Sequence, residues 1–426
     1  MTPALRSTNL ALIAIVAEGF LSRLSFALIS FALPLYAYHL GMKLSEIGIL
    51  SSINLIVALP LKPAMGVVAD RFGLKRSFAA ATSLRSVVSF AFGFVSAPWQ
   101  LLTVRSVYGV SQSLRDPALN ALLAEHGGEK RIAAAFGWYS TAKSVGGSLG
   151  SAVAGILLGL TASNYPLVFG VAFVLSILPV FIVGCFVQEA SASREPAALE
   201  PSADDGRSRG GPTTGTALVS YIALGTLISG SAQMLRGLLP ILATQYAGLS
   251  EAETGVIYTA STLAVLFAGP LFGWLSDDVS QKLVLMVRGI ANTLSSILFM
   301  VFPTLAGIAL GKAVDDVGKS AFKPAWGALM ADVSNLDRKR RGRTIGFMSM
   351  GEDAGEIGGP IVAGFIWSIW GVPVVLAVRI VLALLTEIYA TVLIRSMTRA
   401  RLQGRHDASA QPGAPARPRL LPDMRR

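Results

Sequence analysis

The chain has 426 residues, 53% of them hydrophobic and only 14% charged, with a mean hydropathy of +0.59. A soluble domain carries roughly 25% charged residues, so the bulk of this chain belongs in lipid, and the net charge of +11 sits between apolar runs, which points to the positive-inside rule rather than to nucleic acid. A single cysteine, Cys185, excludes an internal disulfide, and three scattered histidines, His39, His126 and His406, cannot build a metal site alone.

A membrane helix needs about 20 apolar residues. Twelve runs meet that need, taken below as helices 1 to 12. The first six cover 9–40, 45–69, 77–96, 98–123, 133–160 and 165–187. Helix 1 carries Glu18 and Arg23 inside its apolar run and reads as a span, not as a cleavable signal peptide. Only Ala97-Pro98 separates helices 3 and 4, which implies a tight turn. Residues 188–213 are rich in Ser, Pro, Gly and charge and read as a disordered linker. The second six runs cover 215–246, 253–275, 283–302, 303–330, 344–369 and 372–395, with Pro303 marking another tight turn. The expected organisation is therefore a six-helix bundle over 1–187, the linker over 188–213, a second bundle over 214–398 and a disordered tail over 399–426.

Basic residues set the orientation. Arg71, Lys75 and Arg76 follow helix 2, Lys130 and Arg131 follow helix 4, and Arg338 to Arg341 with Arg343 follow helix 10. With twelve spans these loops, the linker and both termini share one side, which the positive-inside rule makes cytoplasmic. A bacterial inner membrane suits the short loops and the Ala, Gly and Arg usage.

The two halves repeat. An offset of 207 residues carries Gly66 onto Gly273, Asp70 onto Asp277, Pro117 onto Pro324 and Glu125 onto Asp332. Further along, the offset becomes 209, carrying Gly155 onto Gly364 and Lys143 onto Glu352. A long-period repeat in an apolar chain is how many secondary transporters are built.

The loop after helix 2, Gly66-Val67-Val68-Ala69-Asp70-Arg71-Phe72-Gly73-Leu74-Lys75-Arg76, resembles the signature of the major facilitator superfamily. The second copy keeps Asp277 and Lys282 but has Asp278 for the arginine and Ser280 for the glycine. Arg105-Ser106-Val107-Tyr108-Gly109 in helix 4 fits the family's Arg-x-x-x-Gly motif, which is linked to proton coupling. The Gly-rich stretch 146–155 of helix 5 resembles the family's antiporter motif without its proline, which stands instead at Pro360 in helix 11; small-residue helix packing is the competing reading. The resemblance covers about residues 9–395. It implies an all-α membrane protein of twelve transmembrane helices in two pseudo-symmetric six-helix bundles. It also implies a conformational latch from Gly66, Asp70, Arg71, Gly73, Lys75 and Arg76, with Asp277 as its second copy, docking on the start of helix 11. Gly66 would let two helices approach closely.

Charges inside the membrane are costly and line cavities or pair with one another. The resemblance places helices 1, 4, 7 and 10 around the cavity, and on them stand Glu18, Arg23, Arg105, Arg115, Asp116, Arg236, Lys312, Asp315, Asp316 and Lys319. Glu18 is the foremost expected proton carrier, with Arg105, Asp316 and Glu352 as further proton-coupling candidates. A static salt bridge is the alternative for Glu18. Lys312–Asp316 and Asp315–Lys319 are i,i+4 pairs able to neutralise each other. Arg23, Lys143 and Arg236 are candidates for an anionic group of the substrate, and Glu356, one turn beyond Glu352, for a cation or proton. Arg85, Arg288, Arg379 and Glu387 fall on helices the family holds at the periphery, where snorkelling or local pairing is expected.

The expected function is a proton-coupled secondary transporter that exports a small organic solute by alternating access; uptake of an organic anion is the alternative. No enzyme constellation and no phosphate-binding Gly-rich loop is present. No cofactor is expected, and the expected partners are the solute, protons and the lipid bilayer, with the protein a monomer.

Overall fold

The computed structural model describes residues 3–127, 132–187, 215–278, 281–334 and 341–409, and within these it is helical almost throughout. The linker and the loop basic residues Lys130, Arg131 and Arg338 to Arg340 lie outside the described residues. Helices 1 to 6 are Pro3–His39, Leu44–Phe72, Leu74–Phe92, Pro98–Gly127, Ile132–Leu160 and Tyr165–Phe186. Helix 7 is Gly215–Gln233 and resumes as Leu239–Ile241 and a π turn, Leu242–Tyr246. Helices 8 to 10 are Glu251–Asp278, Gln281–Val301 and Leu305–Ser334. Helices 11 and 12 form one stretch, Arg341–Ser409, divided at Gly371, whose φ of 81° breaks the helix. That stretch runs through 399–409, so the first part of the tail expected to be disordered continues helix 12.

Among the described residues five stretches are long and apolar enough to cross a membrane, and the last of them, Gly346–Leu393, has 48 residues, enough for two spans. Helices 4 and 10 fall outside this set and carry several charges each, Arg105, Arg115, Asp116 and Glu125 in the one and Lys312, Asp315, Asp316, Lys319 and Lys323 in the other, which lower their hydropathy.

The repeat visible in the sequence is a repeat of contacts. Helix 2 begins with the backbone N–H of Lys43 donating to Glu46 at 2.8 Å, and helix 8 begins with that of Ser250 donating to Glu253 at 2.8 Å, 207 residues on. In helix 5, Gly146 and Gly150 lie against the carbonyls of Phe20 and Leu24 of helix 1; in helix 11, Gly355 and Gly359 lie against those of Thr226 and Gly230 of helix 7. Any side chain there would strike backbone, so each Gly-rich stretch works as a close-packing surface. This is what the small-residue reading of 146–155 expected.

The halves meet through two further glycine pairs. A Cβ at Gly155 of helix 5 would stand 2.5 Å from the Cα of Gly255 of helix 8. A Cβ at Gly364 of helix 11 would stand 3.1 Å from the Cα of Gly48 of helix 2. Both pairs lie toward the end opposite the basic loops. There Glu251 of helix 8 also accepts from Ser163 Oγ at 2.7 Å and Tyr165 Oη at 2.8 Å, across the two halves. That end is therefore shut. Gly66, near the basic end, has nothing within 4 Å of where a Cβ would stand. Among the described residues the close approach expected there is not made.

Candidate functional site

Between the halves lies a cavity of 340 Å³. Its wall takes Arg23 and Phe26 from helix 1, Arg105 from helix 4, Arg236 from the break in helix 7, Lys312 from helix 10 and Glu356 from helix 11. The break explains Arg236: after Gln233 the helix stops, Gly237 takes a φ of 74°, and the chain turns across Ser51 of helix 2. Within the run over 215–246 the signs of this break were Gln233, Arg236, Gly237 and Pro240. Broken helices with backbone lining a cavity are a recurring way to build transport sites.

The lining carries five cations, Arg23, Arg105, Arg236, Lys312 and Lys319, against two acids, Asp315 and Glu356, among the described residues. In the carboxyl-terminal half the charges are paired. Arg236 pairs with Glu356, and Lys312 with Asp316, which also accepts from Ser261. Asp315 draws three cations: Lys319 at 2.6 Å, Arg379 at 2.6 Å and Arg288 at 3.2 Å. Both expected i,i+4 pairs of helix 10 are thus made.

The wall of the amino-terminal half differs. Arg23 and Arg105 stand over one aromatic cluster, with guanidinium carbons 5.2 and 5.1 Å from the Phe26 ring centroid. Phe26 stacks on Tyr108 at 4.7 Å. Behind them, Arg85 lies 5.3 Å from the Phe26 ring and donates to Ser22 Oγ at 2.6 Å.

Glu18 is elsewhere. It is fully buried, and both its oxygens accept from Arg115 Nη2 at 2.7 Å, while the same nitrogen donates to Tyr139 Oη at 2.9 Å. It pairs with Arg115, not with Arg105 or Arg23, and it is not among the cavity residues. Lys143 is exposed, with Nζ 5.5 Å from the Tyr139 ring, and Glu352 is half-buried; neither is among the residues that line the cavity. Of the loop after helix 2, Arg71 and Arg76 are exposed and Gly73 takes a φ of 93°, a left-handed turn that suits only glycine. The side chains of Asp70 and Asp277 lie outside the described residues.

Arg288 and Arg379 correct the peripheral reading. Arg379 is fully buried and donates to the Ser231 carbonyl at 3.1 Å, Ser295 Oγ at 3.1 Å and Ser296 Oγ at 3.0 Å besides Asp315. They pair locally, as one expectation had it, but inward toward helix 10 and not outward toward lipid. A polar run at 292–296 facing them was the signal available in the sequence.

A family model described as Major Facilitator Superfamily matches residues 19–230 and again 221–425. The chain is 24% identical over 385 residues to "Multidrug resistance protein MdtG" of Yersinia enterocolitica, covering 87% of this chain and 90% of that protein. It is 26% identical over 397 residues to the protein of the same name from Proteus mirabilis, covering 89% and 94%. Among solved structures, a bacterial homologue of the human lysosomal transporter Spinster in an inward-facing, unoccupied conformation superposes with a TM-score of 0.75 at 14% identity, over 94% of this chain and 98% of that one. The nucleoside transporter NupG gives 0.68 at 17% identity over 90% and 98%.

Proposed function

We propose that this chain, which belongs to the Major Facilitator Superfamily, exports small organic solutes by alternating access and couples each passage to the inward movement of a proton. It is a membrane transporter and not an enzyme. The observation that carries the alternating-access reading is the central cavity, walled by both halves, lined with ionisable side chains and bolted at the end opposite the basic loops. With those loops on the cytoplasmic side of a bacterial inner membrane, the bolted end faces outward and solute enters from within. Likeness to proteins described as multidrug resistance proteins favours export over uptake.

The coupling residue in this reading is Glu356. It lines the cavity and pairs with one cation, whereas Asp315 is held by three. Ionised, Glu356 accepts hydrogen bonds from Arg236 or from a donor group of the solute. Protonated, it loses an acceptor, and the solute leaves. Glu18 with Arg115 and Asp316 with Lys312 hold helices 1, 4, 8 and 10 in place around it. Arg105 serves the solute rather than the proton, and the protein works as a monomer, since both walls of the cavity come from one chain.

The test uses purified protein in liposomes. Glu356→Gln should lose solute accumulation driven by a pH gradient while keeping solute–solute exchange, because the cavity persists and the titrating group does not. Wild-type accumulation by Glu356→Gln would sink the assignment.

A further inference from the structure

The two walls of the cavity are related by the repeat, yet only one is neutralised. The offset of 207 carries Arg105 onto Lys312. Lys312 has Asp316 at i+4 and Asp315 close by; the residue matching Asp316 on the other wall is Gly109. Among the described residues no carboxylate pairs with Arg105 or Arg23. Arg105 is only 4% exposed, and its Nε and Nη1 find no hydrogen-bond partner. A buried, unsatisfied guanidinium inside a membrane protein is expensive and calls for an explanation.

Two features show that this wall is built and not accidental. Phe26 and Tyr108 hold the two guanidinium groups by their ring faces. Gly147 keeps space for Arg23, since a Cβ there would come within 3.1 Å of its Nε. Cation–π contact leaves guanidinium N–H groups at the rim available, and a fork of such donors matches a planar or tetrahedral oxyanion.

We infer that the exported solute carries a compact oxyanion, such as a carboxylate, sulfonate or phosphonate, on an aromatic or apolar body, and that Arg23 and Arg105 grip that oxyanion. This rests on the cavity being the solute site proposed above. The anion takes up the unpaired N–H groups, the body lies against Phe26 and Phe31, and a donor at its far end reaches Glu356. Cationic solutes meet like charge on this wall. Export and anion recognition, treated as alternatives from the sequence, are joined in one site.

The experiment compares three size-matched probes on the purified full chain in detergent: benzenesulfonate, benzyltrimethylammonium and benzyl alcohol. Thermal unfolding and calorimetry read binding. Benzenesulfonate should raise the melting temperature of the wild type and the other two should not. Because a hydrogen bond to a charged group is worth about 1.5–3 kcal/mol, Arg105→Gln and Arg23→Gln should each weaken benzenesulfonate binding at least about tenfold. Arg105→Lys, which keeps the charge without the fork, should fall between. Tighter binding of benzyltrimethylammonium than of benzenesulfonate to the wild type overturns the inference, and this arm needs no variant to fold. Unchanged benzenesulfonate affinity in both glutamine variants overturns it too. The two readings fail separately. Proton movement driven by a cationic solute, with no benzenesulfonate binding, removes the oxyanion and leaves export standing. Arginine-dependent benzenesulfonate binding without any proton movement in vesicles supports the oxyanion and removes the coupling.

Discussion

Asp315 is the residue on which the carboxyl-terminal half converges. Helices 9, 10 and 12 each send it a cation, and Arg379 alone ties it to three serine oxygens of helices 7 and 9. Removing one member of a buried ion pair costs about 3–5 kcal/mol, because the remaining charge is left uncompensated. Asp315→Asn, which strands three cations at once, should therefore lower the melting temperature sharply, and Arg379→Met should lower it by less, since Asp315 keeps Lys319 and Arg288; the two changes combined should cost less than the sum of the single losses. Additive losses in that double-mutant cycle would show the two residues to be uncoupled. Glu18→Gln should behave in the same way and for the same reason: it strands Arg115 in a sealed site. A variant that keeps wild-type stability but loses proton coupling would return Glu18 to the role of carrier. The sequence displayed each of these charges but not their partners. Glu18 and Arg115 are 97 residues apart, and Arg379 and Asp315 are 64 apart, so only the fold brings them together.

At the scale of elements, the glycine pairs decide which end is shut. Gly155→Leu places a branched side chain where Gly255 now touches, so helices 5 and 8 must separate. The expected outcome is a carrier displaced toward the state open at the opposite end. In a Cys185→Ser background, Gln245→Cys, which lines the vestibule at that end, should be labelled faster by an impermeant maleimide when Gly155→Leu is present. Equal rates would show that this contact does not govern closure. Glu251→Ala, which loses its two bonds to Ser163 and Tyr165, should act in the same direction and by less, since each such bond is worth about 0.5–1.5 kcal/mol. The spans themselves were legible, because apolar length and short polar loops specify them directly. Gly155 and Gly364 were visible as a repeat, but nothing local said that they bolt the halves. The break in helix 7 was legible only in part: Arg236, Gly237 and Pro240 interrupt the run, but membrane helices carry Gly and Pro often enough that these did not by themselves mark a break. The continuation of helix 12 through 399–409 was hidden, since its polar composition resembles that of a linker.

For the whole molecule, the repeat explains both the symmetry of the packing and the asymmetry of the site. Equivalent caps, equivalent glycine stretches and equivalent interdomain pairs come from the two copies. The charges then diverge: the second half carries Asp315 and Asp316, and the first carries Arg23 and Arg105, which no carboxylate among the described residues neutralises. The sequence made the family and the twelve spans plain, because the signature at 66–76 and the 207-residue offset are both linear features. Which charges line the cavity was legible only in part. Arg23, Arg105, Arg236 and Glu356 reach it, whereas Glu18, Lys143 and Glu352 do not line it, because helix rotation about its axis decides this and apolar runs on every side conceal that rotation.

The measurement that tests proton-coupled export most directly is the internal pH of everted membrane vesicles energised to be acid inside. Lipophilic cations, neutral aromatic compounds and organic anions are added in turn, with wild type and Glu356→Gln side by side. Proton release from the vesicles on adding organic anions, absent in Glu356→Gln, is the predicted result. Release of the same size in both proteins, or none from any class of solute, would contradict it.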